Sequence, residues 1–340
     1  MRNAWAIRVA TDEVLQTSAQ LGVTDIVVYG GPGVGLLPGT AEPLTSPRAT
    51  YDDYVTLRKR LESYGLRIAA FEGGFAGVTR FMDIVFGGPR RDERIEELVG
   101  EIRDMARAGV PIYGYHWMPK PVWRSANVRI RGGAEATALD WDKGDARPLG
   151  KNPLPEGADL DEERMWENLE YWIKTVTPVA EEEGIRLGIH PPDPPVRSLG
   201  GVPSLLWNFD AYKRLIEIYP SDSNAIEFCQ GTFSEMNEDI YEIIEYFATR
   251  RKVLYVHFRN VSGQVPKFNE EFINTGYVDM YRAMSVYRDA GYDGVFIDDH
   301  CPLLAGDEDF PGNWGGYRSR MFAQGYIQAL IDTVTNEAAG

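Results

Sequence analysis

Short apolar runs of four to six residues recur along the chain, each closing on a polar or glycine-rich corner and followed by a longer stretch with apolar residues at helical spacing. The runs predict strands at Trp5–Val9, Asp25–Tyr29, Arg67–Phe71, Pro111–Tyr115, Arg186–Ile189, Ala225–Phe228, Val253–Phe258 and Gly294–Ile297. The longer stretches predict helices at Asp12–Leu21, Tyr51–Tyr64, Arg91–Ala108, Asp161–Glu183, Asp210–Ile218, Met236–Thr249, Tyr277–Ala290 and Tyr317–Val334. Strict alternation of eight strands with eight helices fits an α/β fold, a (β/α)8 TIM barrel, better than a doubly wound sheet whose open edges need no eightfold repeat. The competing reading takes GGPGVG, Gly30–Gly35, as the phosphate loop of a Rossmann-like domain. Its weakness is that LLPGTAEPLTSPRAT follows, with no helix N-terminus at hand to receive a phosphate.

Glycines at 109, 184 and 291 stand where helices must stop before a parallel strand, and Asp161, Asp210 and Asn237 are candidate helix caps. The long connections, Gly30–Thr50, Glu72–Arg90, His116–Leu160, His190–Phe209 and Asp299–Gly316, all follow strands. A barrel with elongated loops on the C-terminal face, where active sites are assembled, accounts for that bias. A typical barrel needs about 250 residues, so the remainder of this chain belongs largely to those loops. Residues 1–340 read as one domain with a loop excursion at 117–160, either a surface decoration or a substrate-covering lid.

Composition narrows the function. The 340 residues are 44% hydrophobic, enough for a large core without disulfides or a structural metal. A net charge of −16 argues against nucleic acid as a partner, because that grip depends on Lys and Arg neutralising phosphates. Cys229 and Cys301 form no CxxC pair, which fits a reducing compartment, and no apolar run reads as an export signal or membrane span; cytoplasm is the expected location.

The chain holds only four histidines, and all lie at or just beyond predicted strand ends: His116, His190, His257 and His300. One such histidine is ordinarily a packed core group; four on one face of a barrel point to chemistry. Cys229 ends the sixth predicted strand, and Asp298 and Asp299 precede His300 on the eighth. Imidazole, thiolate and carboxylate from successive strand ends can enclose one divalent ion. The mixed donor set leaves zinc, manganese and iron open.

These residues also carry a resemblance. GIHPPDPP (188–195), FCQGT (228–232), VHFRN (256–260) and DDHCP (298–302), with YHWMP (115–119), resemble the mannonate dehydratase family of metal-dependent, xylose-isomerase-like barrels. The resemblance implies a metal held by His190, Cys229, His257 and Asp299, manganese by preference with Zn2+, Co2+ or Fe2+ as alternatives. It implies conversion of D-mannonate to 2-keto-3-deoxy-D-gluconate and water, a cytoplasmic enzyme, and a homo-oligomer with a dimer favoured. His300 and Tyr317 are its proton-transfer candidates. The chain departs from the family at His116, where asparagine is common, at Pro192, where the family has a carboxylate, and at Cys301–Pro302, where it has glycine and histidine. His116 is thereby a third candidate proton carrier.

The chemistry stands on its own terms as well. A sugar-acid carboxylate and neighbouring hydroxyl can chelate an ion that stabilises charge as the carbon beside the carboxylate loses a proton, and an acid must then assist departure of the C3 hydroxyl. Arg259 and Arg124 are candidates to clamp the anionic sugar acid. Asp193, in the proline-rich loop, and Trp123 are further candidate substrate contacts. The leading expectation is thus a divalent-metal sugar-acid dehydratase. A metal-dependent isomerase or epimerase is the enzymatic alternative, and a non-catalytic carbohydrate-binding or assembly barrel the other.

Overall fold

Eight parallel strands close on themselves in the computed structural model, which describes residues 1–8, 10–29, 49–73, 82–149, 161–307 and 316–339. They are β1 (Arg2–Ile7), β2 (Asp25–Tyr29), β3 (Arg67–Glu72), β4 (Ile112–His116), β5 (Arg186–His190), β6 (Asn224–Cys229), β7 (Val253–His257) and β8 (Val295–Ile297). Each pairs with its neighbours in the chain and β8 closes onto β1, so the alternation read from the sequence is that of a TIM barrel. The Gly30–Gly35 stretch and Val9 lie outside the described residues.

Alternation along the strands separates two cores. Ala4 and Ala6 of β1 join Val27, Ala69, Ala225, Tyr255, Val295 and Ile297 in a cluster made of strand residues, the filling of the barrel. Trp5 and Ile7, on the opposite face, pack in the larger cluster with helix residues such as Leu15, Leu57 and Leu98. At the N-terminal end Asp25 ties three strands: Arg2 of β1 lies 3.3 Å and Arg67 of β3 2.9 Å from its carboxylate.

The helices around the barrel are α1 (Asp12–Gln20), α2 (Tyr51–Glu62), α3 (Met82–Phe86), α4 (Arg91–Arg107), α5 (Glu162–Glu183), α6 (Phe209–Ile218), α7 (Gln230–Glu235), α8 (Ile240–Thr249), α9 (Met280–Asp289) and α10 (Tyr317–Ala339). Gly109, Gly184 and Gly291 adopt positive φ, as a stop before a strand requires. Asp161 caps α5, but two expected caps are displaced. Asn208, not Asp210, accepts from the Ala211 N–H, and Asp239, not Asn237, accepts from Tyr241 and Glu242. Asn237 instead donates to the Val265 carbonyl, because the helix expected from 236 begins only at Ile240, as α8, and a separate short helix, α7, precedes it directly after β6.

The excursion after β4 has structure of its own. Its described part, 117–149, forms short two-stranded ladders, and Ala138–Asp140 pairs antiparallel with Lys267–Asn269 from the loop after β7. Leu139, Val261 and Phe268 make a small buried core beneath this join. Residues 150–160 lie outside the description.

Candidate metal centre and active site

Six consecutive strands end on a residue that carries chemistry: Tyr29, Glu72, His116, His190, Cys229 and His257 close β2 to β7 in turn. Parallel pairing sets neighbours side by side, His190 against His116 and Cys229 against His257. Asp299 follows β8 with φ of 43°, a left-handed turn that aspartate tolerates better than most residues. Tyr29 donates to its Oδ1 at 3.0 Å.

One donor atom each from His190, Cys229 and His257 fall within 4.8 Å of one another. Asp299 Oδ2 joins them, 3.3 Å from His257 Nδ1 and 3.9 Å from Cys229 Sγ. All four residues predicted as ligands are therefore brought together. The tautomers suit ligation: His190 Nδ1 lies 2.6 Å from the Pro191 carbonyl, to which it donates its N–H, leaving the lone pair on Nε2. His257 turns Nε2 to Glu72 at 3.0 Å, leaving Nδ1 to face Asp299 and Cys229.

Electrostatics favours the ligating forms of His190, Cys229 and Asp299. Burial pushes the pKa of His190 down to about 4, so the ring is neutral near pH 7. Burial would raise the Cys229 thiol, but Arg259 and His257 outweigh it and hold the thiol below its usual value. Despite burial, His300, His257 and Arg259 hold Asp299 well below the carboxylate range. His257 is held well above its usual value by Asp299 and Glu72, again against burial. Imidazolium and a divalent ion are thus alternative cations at this point.

His300 stands beside the cluster, 11% exposed, with Nε2 3.5 Å from Asp299 Oδ2. Its Nδ1 lies 2.9 Å from Glu270 Oε1, a bond that fixes the ring and leaves Nε2 toward the site. Behind Glu270 sits a buried charge network. Arg124 bonds Glu270 at 2.8 Å and Asp193 at 2.7 Å. Arg259 bonds Glu270 at 2.8 Å and both Glu235 and Asp193 at 3.0 Å. Neither arginine side chain is exposed at all. This corrects the expected clamp on a substrate carboxylate: both forks are turned inward, onto carboxylates of the protein. Asp193, expected as a substrate contact, is 1% exposed and a member of the same network.

The remaining candidates lie at the margins. Trp123 packs 6.1 Å from Trp141, ring centre to ring centre, and against Gly200. Tyr317 opens α10, with its ring edge-on to Trp5 at 6.0 Å and its hydroxyl pKa raised by burial and then by Glu13. The preceding segment, 308–315, lies outside the described residues. His116 stacks 4.5 Å from His190, and its Nε2 is 3.5 Å from Glu72 Oε1.

Glu72, Glu227, Glu235 and Glu270 were not anticipated. A signal for two of them was present: Glu227 lies two positions before Cys229 and must share its inward face, and Glu72 ends the otherwise apolar IAAFE.

Comparison with known proteins decides the family. Residues 48–154 and 149–339 match the family described as D-mannonate dehydratase (UxuA). The chain belongs to the D-mannonate dehydratase family. It is therefore an enzyme of the hydro-lyase class. The mannonate dehydratase of Streptococcus uberis is 30% identical over 306 residues, spanning 83% of this chain and 86% of the relative. The crystal structure of the mannonate dehydratase from Streptococcus suis serotype 2 superposes with a TM-score of 0.84 at 27% identity, covering 99% of this chain and 96% of that one. A D-tagatose 3-epimerase-like protein, at 12% identity and a TM-score of 0.64, shares the fold. Among the described residues no helix is long and apolar enough to cross a membrane.

Proposed function

We propose that this member of the family is a divalent-metal-dependent dehydratase of sugar acids, acting on D-mannonate to give 2-keto-3-deoxy-D-gluconate and water. The observation that carries the reading is the convergence of His190, Cys229, His257 and Asp299 beside a His300 already oriented by Glu270. The donor set fits a metal, since the buried His257 Nδ1 has no hydrogen bond of its own and His190 offers Nε2. The family resemblance favours Mn2+; two imidazoles, a thiolate and a carboxylate also accept Zn2+, Co2+ or Fe2+. When bound, the ion binds the sugar acid and stabilises the negative charge that develops next to its carboxylate.

The protein's own part is proton movement. With Nδ1 donating to Glu270, His300 Nε2 takes the proton from C2 of the substrate. The C3–O bond breaks and the hydroxyl leaves as water after accepting a proton from an acid on the other side of the mouth. We assign this acid to Tyr317, on the family resemblance and because the helices of a barrel begin on the face where the preceding strands end, as α10 does with Tyr317. The enol then becomes the 2-keto acid. Arg124, Arg259 and Asp193 act from behind, by holding Glu270.

Protein stripped with a chelator and reloaded with Mn2+, Zn2+ or Co2+ is to be mixed with a panel of aldonates and free sugars. A 2-keto-3-deoxy acid formed from D-mannonate, only with metal present, is the expected product. An isomer of unchanged mass rejects dehydration in favour of isomerisation.

A further inference from the structure

Two aspartates stand side by side after β8, and the centre proposed above uses only the second, Asp299. The registered pairing of β8 ends with Ile297 against His257, and among the described residues the chain is next paired at Leu303, against Glu135. Residues 298–302, which carry both Asp299 and His300, therefore run without a strand ladder to hold them. Asp298 is buried, and its side-chain partners lie on α10. Arg320 Nη1 donates to its Oδ2 at 2.8 Å and Gln324 Nε2 to its Oδ1 at 3.0 Å. Arg320 and Gln324 are one helical turn apart, so one face of α10 occupies both oxygens of the carboxylate.

The helix that grips Asp298 is itself tied to the barrel. Gln324 Nε2 also donates to the Ala4 carbonyl at 3.1 Å, and the Gln324 carbonyl accepts from Asn3 Nδ2 at 3.2 Å, so α10 is registered to β1, the strand on which β8 closes. Cys301 Sγ lies 3.7 Å from Asp298 Oδ2 and 3.9 Å from the Asp298 carbonyl, which draws the far end of the turn back onto the same residue. Between these anchors Asp299 takes its φ of 43°, with Oδ1 accepting from Tyr29 and Oδ2 facing His257 and Cys229. A left-handed backbone at a residue other than glycine costs energy and persists only where its surroundings hold it. A buried, charge-assisted bond and a second bond to the same carboxylate fix orientation as well as position.

We infer that Asp298, Arg320 and Gln324 are positioning residues for the metal centre: by gripping Asp298, α10 holds the left-handed turn at 299 and so sets the aim of Asp299 Oδ2 and of His300 beside it. This role rests on the proposed dehydratase centre, and the experiment separates the two.

Full-length protein is stripped with chelator and titrated with Mn2+ by calorimetry, with thermal melts of the metal-free protein alongside. Asp298→Asn is nearly isosteric but turns an NH2 group toward either Arg320 or Gln324, both of which are donors. Gln324→Met removes the donor to Oδ1 and leaves Arg320 in place. The dissociation constant for Mn2+ should rise about 10- to 100-fold in Asp298→Asn, the usual cost of losing a group that orients a metal ligand, and by less in Gln324→Met. At saturating Mn2+, kcat should fall as well, because His300 shares the turn. Variants that melt at lower temperature yet bind Mn2+ as the wild type does overturn the positioning role and leave the pair as packing alone. Should Asp298→Asn not fold, Gln324→Met carries the same test. A wild type that binds no Mn2+, or binds it no better than Cys229→Ser, overturns the proposed centre and the positioning role with it. Binding lost in Cys229→Ser but equal in wild type, Asp298→Asn and Gln324→Met overturns the positioning role alone.

Discussion

Glu270 is buried, and its bond to Nδ1 fixes which nitrogen of His300 carries the proton. Its replacement by glutamine keeps the shape and frees the ring to take the wrong tautomer. We expect Glu270→Gln to lower kcat by about 10²- to 10³-fold, within the range of general acid–base effects, with metal content unchanged. A loss confined to KM would show that Glu270 serves binding instead. Gly114 makes a second residue-scale prediction. Adding one methyl group drives it into Glu227 and Tyr255, so Gly114→Ala should cost about 2 kcal/mol or more in chemical denaturation. At this scale the sequence was informative where spacing carried meaning. His190, Cys229, His257 and Asp299 could be placed because strand ends share one face. The burial of Arg124 and Arg259 could not be foreseen, because their partners Asp193, Glu235 and Glu270 come from three other segments.

The strands and helices were legible because their periods differ and glycine marks the stops between them. Cap positions were less so: Asn208 and Asp210, or Asn237 and Asp239, are chemically equivalent neighbours, and only the local path of the chain selects one. At the N-terminal ends of the strands, Asp25 offers a test that is independent of catalysis. Burial alone would raise its pKa, but Arg67, Thr24 and Arg2 outweigh burial and hold it below the usual carboxylate value. A carboxyl whose folded pKa is depressed adds stability above its unfolded pKa of about 3.9 and loses it as pH falls through the folded value. Both arginines are about half exposed, which limits the gain. Asp25→Asn should therefore lower stability by about 1–2 kcal/mol at neutral pH, and the gap from wild type should close in acid. Melting curves that differ equally at both pH values would refute the ion-pair account.

For the whole molecule, the excursion after β4 is the part that the sequence conveyed least. Its short strands have too few residues to show a period, and the partner of Ala138–Asp140, at 267–269, lies far along the chain. The small core of Leu139, Val261 and Phe268 makes it a built structure. Removing the Phe268 ring should cost about 3 kcal/mol, felt locally: in Phe268→Ala, hydrogen exchange should quicken across 123–149 while the barrel strands keep their protection. Uniform acceleration would mean that excursion and barrel unfold as one.

The ladder between Ala138–Asp140 and Lys267–Asn269 is also a mechanical link. The Glu270 N–H, one residue beyond it, donates to the Thr137 carbonyl at 2.9 Å, and Arg124 of the same excursion grips the Glu270 carboxylate. The decoration on the barrel thus works as a jig for one proton-transfer group. Grafting a relative's excursion onto this chain would retune turnover first, through the aim of His300, before it altered which sugar acid is bound.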